Sequence, residues 1–247
     1  MKFSIVIPAL NEASWIGNTI QAVLDQDYDN FEVLIVDNNS SDGTAEVVSD
    51  YAKNDRRIKL LFCETRGVLA ARSFGFEAAD GDIIVQLDAD NLAPSDWLSN
   101  AVRHFKKNRH LVALVGAYDY YDASWLFRFL ALSSQYIFFS VGNYYVQKRK
   151  FGALMLGGNA FIKRSVLKET GGYNKIHTFY SDDLVTATQV AAKGKVKFYP
   201  DLTVMSSARR YKQNGYWKTQ QKYNKGTLAV FLGRPIPCQI EEEQHPR

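Results

Sequence analysis

Cysteine is nearly absent from this chain. Cys63 and Cys238 are the whole complement, and they lie far apart. Two such residues make neither a disulfide framework nor a zinc-ligand spacing, so neither device organises the fold. Long apolar runs are missing too: no stretch reaches the roughly 18 residues that a bilayer-spanning helix needs. The sequence starts Met1-Lys2 and passes at once into an apolar strand, without the basic region, long apolar segment and cleavage signal of a secretory leader. The expected setting is therefore the reducing cytoplasm. Internal repeats and low-complexity linkers are also lacking, which leaves 247 residues for one large α/β domain with a proper core.

Charge is unevenly spread. From Lys193 to Lys225 there are nine Lys or Arg and one acid, Asp201, whereas Glu241, Glu242 and Glu243 reverse the sign near the end. A basic stretch suits phosphate or anionic lipid, or it is a solvated surface. No nucleic-acid-binding motif accompanies it, so no nucleic-acid partner is expected.

What is present is an alternation of two hydrophobic periods. Lys2 to Ile7 is a short β-branched run stopped by Pro8, which predicts a buried strand; Trp15, Ile16, Ile20, Val23 and Leu24 then recur at helical spacing. Phe31 to Val36, Ile58 to Cys63 and Asp82 to Leu87 read as further strands, with helices from Thr44 and over Val68 to Ala79 between them. Strands and helices in this rhythm make right-handed βαβ units and a mainly parallel, Rossmann-like sheet flanked by helices. The second half is less regular, with strands at Leu111 to Val115 and Val196 to Tyr199, a helix over Asp182 to Ala192, and a glycine-marked segment from Leu156 to Ala160.

Ligands of such sheets bind at the carboxyl ends of the strands. Three polar clusters fall there: Ala9-Leu10-Asn11-Glu12, Asp37-Asn38-Asn39 and Asp88-Ala89-Asp90. Asp88 and Asp90 are hard oxygen ligands that suit Mg²⁺ or Mn²⁺, and a bound ion removes the repulsion between them. Alternatively they form a solvated turn in which Asp90 caps the next helix. Asp37 either accepts hydrogen bonds from a ribose or base, or closes an Asx-turn. Arg66, after the third strand, either pairs with phosphate as a planar fork or is a surface arginine.

Three of these segments carry a family resemblance. Ser4-Ile5-Val6-Ile7-Pro8-Ala9-Leu10-Asn11-Glu12, followed by Val36-Asp37-Asn38-Asn39-Ser40-Ser41-Asp42-Gly43-Thr44, resembles the opening of the family-2 glycosyltransferases with the GT-A fold. Val85-Gln86-Leu87-Asp88-Ala89-Asp90 is similar to their Asp-X-Asp motif, and the likeness covers about residues 3 to 200. It implies a single glycosyltransferase domain. A nucleotide-sugar-binding half would span 1–115, an acceptor half 116–205, and a basic extension 206–247. By the resemblance, Pro8, Ala9, Asn11, Glu12, Asp37, Asn39, Arg66 and Ala89 belong to the nucleotide-sugar pocket. Asp90 is the direct ligand of a divalent metal, and Asp88 meets the ribose or the metal. The implied donor is a UDP-, GDP- or dTDP-sugar, and the acceptor a sugar or a polyprenyl-linked molecule.

Gly171-Gly172-Tyr173-Asn174, followed by Tyr180-Ser181-Asp182-Asp183-Leu184, resembles the family's acceptor region and its Glu-Asp base motif. The sequence departs from that pattern, with Asp182, or Ser181 in a shifted register, where Glu is usual. Counting back from Gly194 without a gap places Asp183 on the base; a gap moves the role to Asp182. The implied chemistry is an inverting displacement in which metal and arginine stabilise the departing diphosphate. Arg209 and Arg210 either return to that diphosphate or serve a surface role. His177 is the one histidine near the base motif, and it is expected to be structural.

Trp125, Phe129, Leu132, Tyr136 and Phe139 are spaced 4, 3, 4, 3, one stripe of an amphipathic helix. It either covers the sheet as core or, with Lys148, Arg149 and Lys150 close behind, forms a peripheral membrane or lipid-acceptor surface at the inner face of the plasma membrane. Two other functions compete. A sugar-phosphate nucleotidyltransferase would want a Gly-rich phosphate loop after the first strand, and Pro8 to Glu12 is not one. A non-catalytic nucleotide- or lipid-binding module finds support only in the departure at Asp182.

Overall fold

The computed structural model describes residues 1–173 and 182–236. Asn174, His177, Tyr180, Ser181, Cys238 and the Glu241 to Glu243 run lie outside the described residues. The strands are β1 (Phe3–Ala9), β2 (Phe31–Asp37), β3 (Ile58–Phe62), β4 (Ile83–Leu87), β5 (Leu111–Val115), β6 (Tyr118–Tyr120), β7 (Asn159–Lys163), β8 (Lys195–Phe198) and β9 (Val204–Ser206). The helices are α1 (Ile16–Leu24), α2 (Thr44–Asn54), α3 (Val68–Ala78), α4 (Trp97–Lys107), α5 (Trp125–Ile137), α6 (Asn143–Lys148), α7 (Arg164–Glu169), α8 (Asp182–Ala191), α9 (Arg209–Asn214) and α10 (Tyr216–Phe231).

Seven strands form one sheet in the order β3-β2-β1-β4-β7-β5-β8, and β6 pairs with β9 in a second. The first four run parallel. β7 enters between β4 and β5 antiparallel to both, an inversion that the apolar pattern does not reveal. The sheet is covered on both faces, and the period-two geometry of a strand divides its apolar residues between two cores. Ile5, Ile7, Val33 and Ile35 pack with α1 and α4 residues such as Ile20 and Trp97. Val6, Leu34 and Val36 pack on the other face with Ala71 of α3 and Ala187 of α8. That double burial explains why β1 and β2 read as continuous runs rather than alternating ones.

Strand order reverses beside β1. The chain moves outward from β1 to β3, then returns to lay β4 on the opposite side of β1. The loops leaving β1 and β4 therefore diverge and open a crevice at their carboxyl ends.

The aromatic stripe does not cover the sheet. No residue of α5 is buried, and Trp125 is 78% exposed, which overturns the core-helix reading. The sheet faces are already occupied by other helices, so α5 lies at the sheet's edge, where Tyr136 and Phe139 pack on Phe198 of β8, Phe127 packs on Tyr120 and Tyr211, and polar contacts add to this. Arg128 pairs with Asp119 at 2.7 Å, and the Gln135 amide bonds both the N–H and the carbonyl of Tyr118 at 2.9 and 3.0 Å. One π-helical turn, Phe138–Gly142, joins α5 to α6 in a continuous helical span. Within the expected basic extension the chain forms α9 and α10, and α10 contacts α6 and α8. Among the described residues no helix is long and apolar enough to cross a membrane.

Candidate active site

The turn after β4 is fixed from three sides. The Asn91 N–H bonds the Asp88 carbonyl at 3.1 Å, and the Thr19 hydroxyl of α1 donates to the Ala89 carbonyl at 2.8 Å. Leu92 and Met205 exchange backbone hydrogen bonds of 2.8 and 3.0 Å, which clamps this turn to β9. Asp90 caps no helix, because the N-cap position of α4 is Asp96. The Asp90 carboxylate instead meets Arg209 Nε at 2.9 Å, and Arg209 Nη2 reaches Glu12 at 2.6 Å. The Arg209 guanidinium also lies over the Trp15 ring, 5.6 Å from its centroid. One arginine at the start of α9 thus ties the β1 loop to the β4 turn. Burial pushes the Asp90 carboxyl up to about 6; Arg209 opposes this, while the like charges of Asp88 and Glu12 add to it.

A second arginine organises the other wall. Arg72 of α3 is buried and bonds Asp182 at 2.7 Å, Asp183 at 2.9 Å and Asp88 at 3.4 Å. Burial works against its charge, but Asp183, Asp182 and Asp88 outweigh that and hold it protonated more firmly than an ordinary arginine. The two aspartates at the start of α8 are not equivalent. The Asp182 side chain is 2% exposed and the Asp183 side chain 25%, so Asp183 is the one that faces the open space. Asp183 also accepts the Gly157 N–H at 2.8 Å. Burial raises both carboxyls above the usual range; for Asp183, Arg72 counteracts this and Asp88 adds to it.

Gly157 and Gly158 run along these carboxylates with no room for a side chain. A Cβ on Gly157 would run into the Asp183 carboxylate, and one on Gly158 into that of Asp88. The pair is held in place by Tyr118, whose hydroxyl accepts the Gly158 N–H at 2.8 Å, and by the Asn91 amide, which donates to the Gly158 carbonyl at 2.8 Å.

A cavity of about 1300 Å³ opens over these groups. Pro8, Ala9, Glu12, Asp88, Ala89, Asp90, Asp182, Asp183, Arg209 and Arg210 all line it. Four expected site residues do not. Asn11, at φ +55°, turns its side-chain oxygen to the Ser41 N–H at 2.8 Å. Asp37 accepts the Ser40 N–H at 3.3 Å, the Asx-turn alternative. Asn39 donates to the Glu64 carbonyl at 2.9 Å. These three shape the loops instead of walling the cavity. Arg66 is exposed, because Asn38 ties its loop down through the Cys63 and Thr65 carbonyls and the Gly67 N–H. Besides Arg209, the guanidinium that reaches the carboxylates is that of Arg72, which sequence reasoning passed over. Its signal is positional: Val68, Ala71, Arg72 and Gly75 fall on one helical stripe, so Arg72 is a lone charge on the buried face of α3. Arg210 lines the cavity and donates to the Tyr223 hydroxyl at 2.8 Å.

The donor set fits a hard divalent ion completed by ligands from outside the protein. Asp88 and Asp90 offer oxygens only, and Asp90 is buried at an electrostatic cost that a cation relieves. Among the described residues no group of three or more His, Cys, Asp or Glu is arranged to hold a metal, so water and substrate phosphate would supply the remaining positions.

Comparison with known proteins agrees with this architecture. The sequence model of the glycosyl transferase family 2 matches residues 4–171. An "uncharacterized glycosyltransferase" of Haemophilus influenzae is 35% identical over 120 residues, 48% of each chain. Glycosyltransferase GlyG of Streptococcus pneumoniae is 23% identical over 178 residues, 70% of this chain and 58% of its own. The chain thus spans about half the length of these curated relatives. Among solved structures, the mannosyltransferase PcManGT of Pyrobaculum calidifontis, in complex with GDP-Man and Mn²⁺, superposes with a TM-score of 0.72 at 25% identity, over 93% of this chain and 62% of that one. TarS of S. aureus with UDP-GlcNAc shares the fold at a TM-score of 0.67 and 18% identity, over 84% of this chain and 58% of that one. With the family's sequence model matched over more than half its length, this chain belongs to the family-2 glycosyltransferases.

Proposed function

We propose that the chain transfers a sugar from a nucleoside-diphosphate donor to an acceptor hydroxyl, with inversion at the anomeric carbon. The observation that carries this reading is the arrangement around Arg72, which joins Asp88 of the β4 turn to Asp183 across one cavity that Asp90 also lines. The donor fits the β1–β4 side, where Pro8, Ala9 and Glu12 form the wall. A Mn²⁺ or Mg²⁺ held by Asp90 and Asp88 would supply positive charge that stabilises the departing diphosphate. Arg209 and Arg210 lie at the same wall and add to that field. The relatives that bind GDP-Man, UDP-GlcNAc or UDP support a nucleotide-sugar donor and leave the base open among uracil, guanine and thymine.

In the displacement the acceptor oxygen bonds to the anomeric carbon while the bond from that carbon to the diphosphate oxygen breaks, its electron pair leaving with the diphosphate. The acceptor proton goes to Asp183. A carboxylate accepts it late, as the hydroxyl acidifies on bonding to carbon, and its raised affinity for a proton makes it a better base than a solvated aspartate. Arg72 and Asp182 position Asp183: Asp182 is buried behind it and holds the guanidinium that Asp183 leans on.

Isothermal titration with UDP, GDP and dTDP in the presence of Mn²⁺ tests the donor half. One of the three should bind, binding should weaken at least tenfold without the metal, and Asp90→Asn should reproduce that loss. Binding of none would overturn the transferase reading.

A further inference from the structure

The cavity is larger and more apolar than a nucleotide-sugar and a free sugar acceptor require. Beyond Asp183 and Arg210 it continues as an arm between the α5–α6 span and α10, walled by Leu130, Phe138, Leu154, Leu184, Leu228 and Phe231. Polar side chains do occur there, but they are spent on their own surroundings. The Ser134 hydroxyl donates to the Ala131 carbonyl at 2.8 Å, that of Thr227 to the Tyr223 carbonyl at 3.1 Å, and the Gln220 amide to the Asn224 oxygen at 2.9 Å. A carbohydrate laid against the leucine and phenylalanine walls would find few partners there, at a cost of about 1–3 kcal/mol for each hydroxyl desolvated without one. A hydrocarbon chain has no such groups to satisfy.

The arm reaches the surface. Leu130, Phe138 and Leu228 are 56%, 52% and 58% exposed, so three of its walls are also the rim of its mouth. Around the mouth the helical span continues as an apolar face carrying Trp125, Leu126, Phe129 and Ile137, each at least half exposed. Its far end turns basic. Lys148 Nζ lies 5.7 Å from the Tyr144 ring centroid, and the Arg149 guanidinium 5.1 Å from that of Tyr145, with Lys150 next in sequence. An apolar face rich in aromatics and ended by cations matches the boundary between acyl chains and anionic headgroups.

We infer that the acceptor is a membrane lipid whose hydrocarbon chain lies in the arm and whose headgroup presents a hydroxyl to Asp183. This assignment rests on the transferase reading above and narrows its acceptor to an amphiphile drawn from a bilayer. The chain enters at the mouth formed by α5 and α10, and the apolar face with its basic end holds the protein against the surface that supplies it.

The test uses alkyl glucosides below their micelle concentrations as probes, with the protein saturated by the nucleoside diphosphate and Mn²⁺ that bind it. Decyl glucoside should bind on the order of 100-fold more tightly than methyl glucoside, as expected for about four buried methylenes. Leu130→Asn and Leu228→Asn, both at exposed positions that the fold tolerates, should remove most of that gain and leave nucleoside-diphosphate binding within about threefold. Co-sedimentation with 3:1 phosphatidylcholine–phosphatidylglycerol vesicles should exceed that with pure phosphatidylcholine, and the excess should fall when Lys148, Arg149 and Lys150 are changed to Gln. Equal binding of the two glucosides, or unchanged decyl preference in the variants, overturns the inference while donor binding stands. A concentration-dependent dimer that the same two leucine variants dissociate overturns it as well, by showing that a second copy covers the face. If no nucleoside diphosphate binds, the transferase reading fails and this assignment fails with it.

Discussion

Arg72 shows how a single buried cation can divide labour between neighbouring acids. Three carboxylates converge on it, two of them from adjacent residues of one helix. Its charge opposes the burial that raises the Asp182 and Asp183 carboxyls, without overcoming it. On the proposed displacement, the exposure difference between Asp182 and Asp183 favours Asp183 as the base. Asp183→Asn should lower kcat by about 10²- to 10⁴-fold with nucleoside-diphosphate affinity little changed. Asp182→Asn should lower thermal stability and reduce kcat less. The pH dependence follows from the direction of the Asp183 shift. The base works when ionised, burial raises its affinity for the proton, and so the acid limb of the wild-type kcat profile should lie above the pH at which an ordinary aspartate titrates. Steady-state kinetics between pH 4 and pH 9 would show this. A limb at or below the ordinary aspartate range would remove Asp183 from the role.

At the scale of elements, the glycine segment before β7 deserves its own experiment because it separates the site's two halves. Gly157→Ala should displace the Asp183 carboxylate and depress kcat while sparing the titration of nucleoside diphosphate. Gly171→Ala is the matched control. Gly171 sits at φ +87° with open space around it, so alanine there should cost about 1 kcal/mol in stability and leave kcat alone. The same elements show what could be read in advance. β1 to β4 were legible because strands buried on both faces produce unbroken β-branched runs, and the polar residues that end them fall at the crevice by geometry alone. Asp88 and Asp90 stand at the crevice for that reason; Asp183, at the start of α8, was marked only by the likeness to the family's base motif. The antiparallel β7 was not legible, since apolar runs carry no direction. Arg72 was passed over because it stands inside a helix, whereas Arg66 stands in a loop after a strand end. The Asn38 amide ties the Arg66 loop down through the Cys63 and Thr65 carbonyls; Asn38 and Gly67 line the cavity, while the Arg66 side chain is exposed and does not. The α5 stripe had the period of a core helix, yet period alone does not say whether an apolar face finds protein or lipid.

On the scale of the whole molecule, the last third of the chain closes over what the first third builds. β9 is clamped to the Asp88–Asp90 turn, α9 begins with the arginine that bridges Glu12 and Asp90, and α10 lines the apolar arm. On the proposed function, a metal ion held by Asp90 would compete with Arg209 for that carboxylate and shift the guanidinium toward the diphosphate. Arg209 also rests on Trp15, so occupancy of the site is written into the surroundings of an indole. Intrinsic fluorescence should therefore shift when Mn²⁺ and the cognate nucleoside diphosphate are added together. The change should vanish in Trp15→Phe, while the other tryptophans continue to emit. A response that persists in that variant would mean that another tryptophan reports the binding; no response in the wild type would mean that the guanidinium stays where it is. The stacked pair thus makes donor arrival an optical event in the unlabelled protein, countable in real time and without turnover.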